Sequence, residues 1–144
     1  MNNDIVKLLI VKFPQIEIIN NKIWGNNEIC DILEFLKNCP DLYFDMLVSI
    51  IAVDYIEFIE LSYILLSSEY NDMLSISVKV NDIAQSVINI YPSAYFDECE
   101  IYDMFGVNFI GNKNLRRLFM PESWQGYPLK KNYTMNDERL TWNG

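Results

Sequence analysis

The segment from Ala94 to Phe105 carries Asp97, Glu98, Glu100 and Asp103, and two adjacent arginines, Arg116 and Arg117, follow it closely. Carboxylates serve acid–base chemistry, and guanidinium forks suit bidentate pairing with them. Glu98 and Glu100 stand two residues apart, so on a helix they face different sides and make a poor catalytic carboxylate pair. Charge patterning alone reads such a helix as a solvated face. The arginines argue instead for an ion pair to Glu98, Glu100 or Asp103, or to a carboxylate on another chain.

Other chemistry is scarce. The sequence contains no histidine, which removes the imidazole base, the Ser-His pair and the histidine metal ligand. Its three cysteines, Cys30, Cys39 and Cys99, have no CxxC spacing and cannot alone complete a four-cysteine iron–sulfur or zinc site. Their odd number fits a reducing compartment better than a secreted disulfide framework. An acidic neighbourhood around Cys99 opposes thiolate formation. The five glycines form no GxGxxG or P-loop to cradle the phosphates of a nucleotide or flavin. No residue set assembles a nucleophile, a base and an oxyanion site.

A chain of 144 residues fits one domain, and 51% hydrophobic residues suffice for a core. The formal net charge of -9 disfavours nucleic acid and anionic lipid as partners. Asp54, Glu57 and Glu60 interrupt the apolar stretch from Met46 to Leu66, so no run approaches the roughly 20 residues of a membrane span. The start, Met1 to Asp4, lacks the basic region of a signal peptide and the arginines of a mitochondrial presequence.

The elements that must position these groups follow from periodicity. Asn3 or Asp4 caps a short helix with Ile5, Leu8 and Leu9 on one face, ending near Phe13-Pro14. Ile16 to Ile18 form a short strand, and Asn20-Asn21 a turn toward Ile23-Trp24. Gly25 to Asn27 open a second helix, with Ile29, Ile32, Leu33 and Leu36 inward. Met46 to Val53 is a continuous apolar run, as expected of a strand covered on both faces. Phe58 to Leu66, the turn residues Glu69 to Asp72, and alternating Leu74 to Val80 make an antiparallel hairpin. A short amphipathic piece spans Ile83 to Val87. Ser93 is a candidate N-cap for the acidic helix, and Gly106 stands where a helix-ending glycine belongs. The fold class is α+β: an antiparallel or mixed sheet with packed helices over residues 1–110, followed by an extended tail over 111–144.

Charge divides in the same place. Residues 1–105 hold 5 basic and 17 acidic side chains, and residues 106–144 hold 6 basic and 3 acidic ones. The tail has Gly111, Pro121, Gly126 and Pro128 and no apolar periodicity, so Trp124, Tyr127 and Leu129 need a surface, either this domain or a partner.

Two stretches carry a resemblance. Tyr91-Pro-Ser-Ala-Tyr-Phe-Asp-Glu-Cys-Glu-Ile-Tyr-Asp-Met-Phe-Gly-Val and Leu115-Arg-Arg-Leu-Phe-Met-Pro-Glu-Ser-Trp-Gln-Gly-Tyr-Pro-Leu-Lys-Lys-Asn-Tyr resemble the 30 kDa subunit family of respiratory complex I. That family has a Glu-Arg-Glu-x-x-Asp helix, a Leu-Arg-Arg-x-Leu-Met-Pro stretch and a Gly-His-Pro-Leu-Arg-Lys-Asp segment. Weaker echoes lie in Phe35-Leu-Lys, Met46-Leu and Ala52-Val-Asp-Tyr. The chain departs from the pattern at Cys99, where the family has Arg, and at Asn112 and Tyr127, where it has His. Lys130-Lys131-Asn132 replaces Arg-Lys-Asp. Losing the histidines while keeping the pattern suggests that they are not catalytic, and Cys99 puts one family ion pair in doubt.

The resemblance implies a non-catalytic structural subunit in the peripheral arm of a proton-pumping NADH:ubiquinone oxidoreductase. FMN, iron–sulfur clusters and quinone would be bound by partner subunits, and no catalytic, cofactor or metal residue is expected here. The implied partners are the quinone-site (49 kDa-type) subunit, with the tail laid across it, and the iron–sulfur subunits. The expected interface or structural residues are Glu98, Glu100, Asp103, Arg116, Arg117, Trp124, Tyr127 and Leu129. The implied location is the matrix side of the mitochondrial inner membrane, or the cytoplasmic face of a bacterial one. The alternatives are a plastid-type complex, a membrane-bound hydrogenase, a stand-alone carboxylate enzyme, and an unrelated acidic interaction domain.

Overall fold

A computed structural model describes residues 3–134; the last ten positions of the expected tail lie outside them. In chain order the elements are α1 (Asn3–Lys12), β1 (Glu17–Ile19), β2 (Lys22–Trp24), α2 (Ile29–Asn38), β3 (Met46–Asp54), β4 (Ile59–Ser67), β5 (Asp72–Val80), β6 (Ile83–Gln85), α3 (Ala94–Phe105) and β7 (Asn108–Ile110). The fold is α+β. Five strands form a mixed sheet in the order β1-β2-β5-β4-β3, and β6 pairs with β7 in a separate parallel ribbon. The β1–β2, β5–β4 and β4–β3 pairs are antiparallel, and β2–β5 is parallel.

Register explains the core. Leu47, Ile50, Leu61, Tyr63, Leu65, Leu74, Ile76 and Val78 all project to the inward face of the sheet and are buried. They join Ile29, Ile32, Leu33 and Leu36 of α2 and Ala94 and Ile101 of α3 in one cluster. On α2 the expected stripe is the buried one. On α1 the buried set is Ile5, Val6 and Leu9, and Leu8 is exposed. The stripe of this short helix is rotated by part of a turn, because its docking onto the domain sets its facing more strongly than its own pattern does.

The apolar run of β3 is covered on one face only. Met46, Val48, Ile51 and Val53 remain between 40% and 50% exposed. β3 lies at the margin of the sheet, and the helical layer reaches only the inward side. Its free edge is closed by α3: the Ile50 N–H donates to Asp97 at 3.0 Å, and the Ser93 hydroxyl donates to the Leu47 carbonyl at 3.4 Å. Ser93 is therefore not a side-chain N-cap; its backbone is already helical and its hydroxyl serves the strand. An unpaired strand edge invites pairing with other chains, and this cover prevents it.

Gly106 ends α3 in the left-handed conformation, φ 75°, with its N–H on the Tyr102 carbonyl at 3.0 Å. Beyond β7 the described residues form turns and bends without a further helix or strand. They lie against their own domain at several fixed points: the Leu129 N–H donates to the Met104 carbonyl at 2.9 Å, and the Lys131 N–H donates to Asp54 at 2.8 Å.

Candidate functional site

The acidic helix is not a solvated face. Glu98 and Asp103 are fully buried, Asp97 is half-buried, and Glu100 is exposed. The two buried carboxylates do different structural work, because different segments supply their donors.

Asp103 holds the start of the tail. One oxygen accepts the backbone N–H groups of Leu118, Phe119 and Met120 at 3.1, 2.7 and 3.1 Å, and the other accepts Arg117 at 3.1 Å. The arginine also donates to the Asp103 and Gly126 carbonyls, at 3.3 and 3.0 Å. Burial alone would raise this carboxyl. The bonds from Phe119, Met120, Arg117 and Leu118 outweigh burial and hold it below the usual aspartate range. The Arg117 guanidinium lies 4.9 Å from the centre of the Tyr127 ring, which meets Tyr102 edge-on at 6.3 Å. That ring occupies the space beside Gly106: a Cβ there would come within 2.6 Å of it.

Glu98 has no cationic partner among its hydrogen bonds. It accepts the Val87 N–H and the Ser86 hydroxyl, both at 2.8 Å, and the Asn112 amide at 2.9 Å. Burial pushes its carboxyl up, and these three donors only partly offset that. Asn112, at a position where the family motif has His, thus fastens the first turn of the tail to α3.

Of the eight residues singled out from the sequence, Asp103, Arg117 and Tyr127 come together. Glu98 sits apart from them, in its own network. Glu100 and Arg116 are exposed, Trp124 is half-buried, and Leu129 is 55% exposed although its backbone is fixed.

Two buried carboxylates escaped the sequence reading. Asp54, at the end of β3, accepts the Ile56 N–H at 2.7 Å as well as that of Lys131. The Lys131 bond is the main cause that lowers its carboxyl. Glu60 accepts Lys22, Ser77 at 2.9 Å and Ser62 at 3.0 Å; burial raises its carboxyl, but these donors bring it below the usual range. The only sequence signal was an acidic residue inside an apolar strand. Lys22 and Ser77 reach Glu60 from strands that only the sheet register brings alongside, and Lys131 reaches Asp54 from the distant tail.

What can this arrangement do chemically? The best-formed surface clefts among the described residues include four of about 310 to 490 Å³, and none of these four is lined by Glu98, Asp103 or Arg117. The oxygens of both carboxylates are taken up by donors from within the chain. Among the described residues no group of three or more His, Cys, Asp or Glu could hold a metal ion, and no helix is long and apolar enough to cross a membrane. The geometry is that of a joint between a domain and the strap that follows it.

A mixed sheet backed by helices, with a basic strap locked to an acidic helix, defines an α+β domain whose C-terminal segment is pinned to it. Residues 24–139 match the family described as the respiratory-chain NADH dehydrogenase 30 Kd subunit, and the chain belongs to that family. It is 34% identical over 118 residues to the C subunit of the NADH-quinone oxidoreductase of Roseiflexus sp., covering 78% of this chain and 68% of that protein. It is 35% identical over 112 residues to the corresponding protein of Ruegeria pomeroyi, which bears the same name, covering 74% and 56% respectively. It is also 34% identical over 135 residues to a protein of Beta trigyna named NADH dehydrogenase [ubiquinone] iron-sulfur protein 3, covering 90% and 70%. Among solved structures, a chain of the membrane-bound sulfane sulfur reductase, an archaeal respiratory membrane complex, matches with a TM-score of 0.78 and 27% identity over 93% of this chain and 86% of that one.

Proposed function

We propose that this chain is a non-catalytic scaffold in the peripheral arm of a proton-pumping NADH:quinone oxidoreductase, supporting the quinone-site subunit while electrons pass through cofactors held by its neighbours. The observation that carries the reading is the fate of its buried carboxylates within a chain of this family. Asp103 spends its oxygens on donors of the strap, and Glu98 on Asn112 of the strap and on Ser86 and Val87 ahead of α3, which fixes shape and leaves nothing for substrate. The plant relative's name mentions iron–sulfur, but Cys30, Cys39 and Cys99 do not belong to any metal-holding group among the described residues. We therefore assign the clusters, the flavin and the quinone to partner subunits. The place we propose is the matrix face of the mitochondrial inner membrane or the cytoplasmic face of a bacterial one.

The test is a native gel of source-cell membranes carrying the tagged full-length chain. It should co-migrate with flavin and iron–sulfur subunits in a band that reduces quinone with NADH. The purified chain should carry no stoichiometric iron, zinc, flavin or nicotinamide. A chain that runs alone, or that keeps stoichiometric iron through chelation, overturns the reading. The archaeal match favours one second reading, a sibling respiratory complex with another electron acceptor. A co-migrating band inactive toward quinone would select it.

A further inference from the structure

Among the described residues, the outward face of the sheet is half covered by the molecule itself and half bare. On the covered half, Lys22 bonds Glu60, the Lys22 and Lys79 ammoniums lie 5.3 and 5.0 Å from the centre of the Trp24 ring, and Lys79 also lies 5.0 Å from that of Phe58. Beneath them Glu60 and Ser77 are buried although they point away from the core. On the other half the register places Met46, Leu66 and Met73 side by side across three strands, and Val48, Ile51 and Val53 continue the stripe along β3. Val48, Ile51 and Met73 are 50%, 50% and 59% exposed. Contiguous apolar surface of this kind marks an interaction site.

Charge identifies what fits there. From Asp41 to Val80, the stretch that builds all three strands, the chain has seven acidic residues and one basic residue, Lys79, which lies on the covered half. Asp45 and Asp72 flank one end of the stripe and Glu57 the other. A second copy would bring acid against acid, and an anionic lipid surface would be repelled in the same way. Because Asp97 and Ser93 already close the edge of β3, strand addition is blocked and the contact must be face to face.

From this we infer that the outer face of β3, β4 and β5 docks onto a partner subunit whose surface is apolar and rimmed by lysine or arginine. The inference rests on the complex-subunit reading and adds to it the surface that seats the chain.

The test uses the full-length chain in cells that make the complex. Ile51→Lys and Val48→Lys should each lower incorporation on native gels at least tenfold, while Val11→Lys, an exposed apolar position on α1, should assemble normally. The melting temperature of each isolated variant checks folding, and Ile51→Ser, which adds no charge, repeats the test if a lysine variant fails to fold. Glu57→Lys with Glu69→Lys should weaken association and flatten its salt dependence. If the wild-type chain does not co-migrate at all, the subunit reading fails. If the wild type co-migrates and both lysine variants assemble at its level, the docking face alone is wrong. An isolated wild-type chain that sediments as a dimer, and that Ile51→Lys dissociates, would make the occupant a second copy and overturn the proposal.

Discussion

Asp103 and Glu98 lie one and a half helical turns apart on α3, both fully buried, yet their protonation is driven in opposite directions. Asp103 gathers an arginine and three successive backbone N–H groups, whereas Glu98 receives three donors and no cation. Asp103→Ala strands the Arg117 guanidinium and those N–H groups, and should cost about 3–5 kcal/mol by denaturant titration. Asp103→Asn keeps an acceptor oxygen and should cost less. Because the folded-state value is depressed, the ionised Asp103 stabilises the fold at neutral pH. That contribution disappears as pH falls below the ordinary aspartate range toward the folded value, and Asp103→Asn should abolish that part of the acid limb. Glu98 has the opposite sign. Its raised value means that its contribution is fully present below the ordinary glutamate range and is lost as pH rises through the folded value. Glu98→Gln should flatten stability over that window, and Glu98→Leu should cost about 1–3 kcal/mol for each donor left unsatisfied. A Glu98→Gln profile identical in slope to the wild type would show that this carboxyl does not titrate on folding.

At the scale of elements, the junction between α3 and the strap depends on one glycine and one ring. Gly106→Ala places a Cβ 2.6 Å from Tyr127 and holds alanine in a left-handed conformation that costs roughly 1–2 kcal/mol by itself. The ring clash adds to this, so Gly106→Ala should destabilise less in a Tyr127→Ala background than in the wild type, and a double-mutant cycle by thermal melting measures the difference. The β3–β4 turn holds a related feature. Ile56 is β-branched, 74% exposed and left-handed at φ 73°, kept there by the Asp54 carboxylate on its N–H. Ile56→Gly should raise the stability of the isolated chain by about 1 kcal/mol through release of this strain. An unchanged melting temperature would mean that the turn relaxes without cost.

For the whole molecule, the strap decides what a protease sees. The sequence predicts a resistant core to about Gly106 and a labile tail, because residues beyond it lack any apolar period. The structure ties those residues down through Asn112 on Glu98, residues 118–120 on Asp103, Leu129 on Met104 and Lys131 on Asp54. Limited proteolysis of the free chain should therefore leave a fragment reaching past Lys131, and Asp54→Ala should expose the segment from about Leu129 onward first. Cleavage of the wild type between Gly111 and Leu115 at the outset would show that the strap is held only within the assembly.

The sequence by itself determined the element types, the family and the acidic helix with its following arginines. Each of these is written in local pattern: the stripe of Ile29, Ile32, Leu33 and Leu36, the alternation from Leu74 to Val80, the glycine at 106, and an ordered string from Tyr91 to Tyr133. Local pattern could not say which faces are covered. The run from Met46 to Val53 is as apolar as a strand buried on both sides, but a strand's position in the sheet depends on pairings dozens of residues away, and β3 falls at the margin. It could not choose among carboxylates either. Which of Glu98, Glu100 and Asp103 meets Arg117 depends on where the strap returns over α3, and Glu98 found Ser86, Val87 and Asn112 instead. Donors that are distant in sequence satisfy a buried charge only once the chain has folded around it, so the tertiary structure alone decided those pairings and which face of β3 the described residues cover.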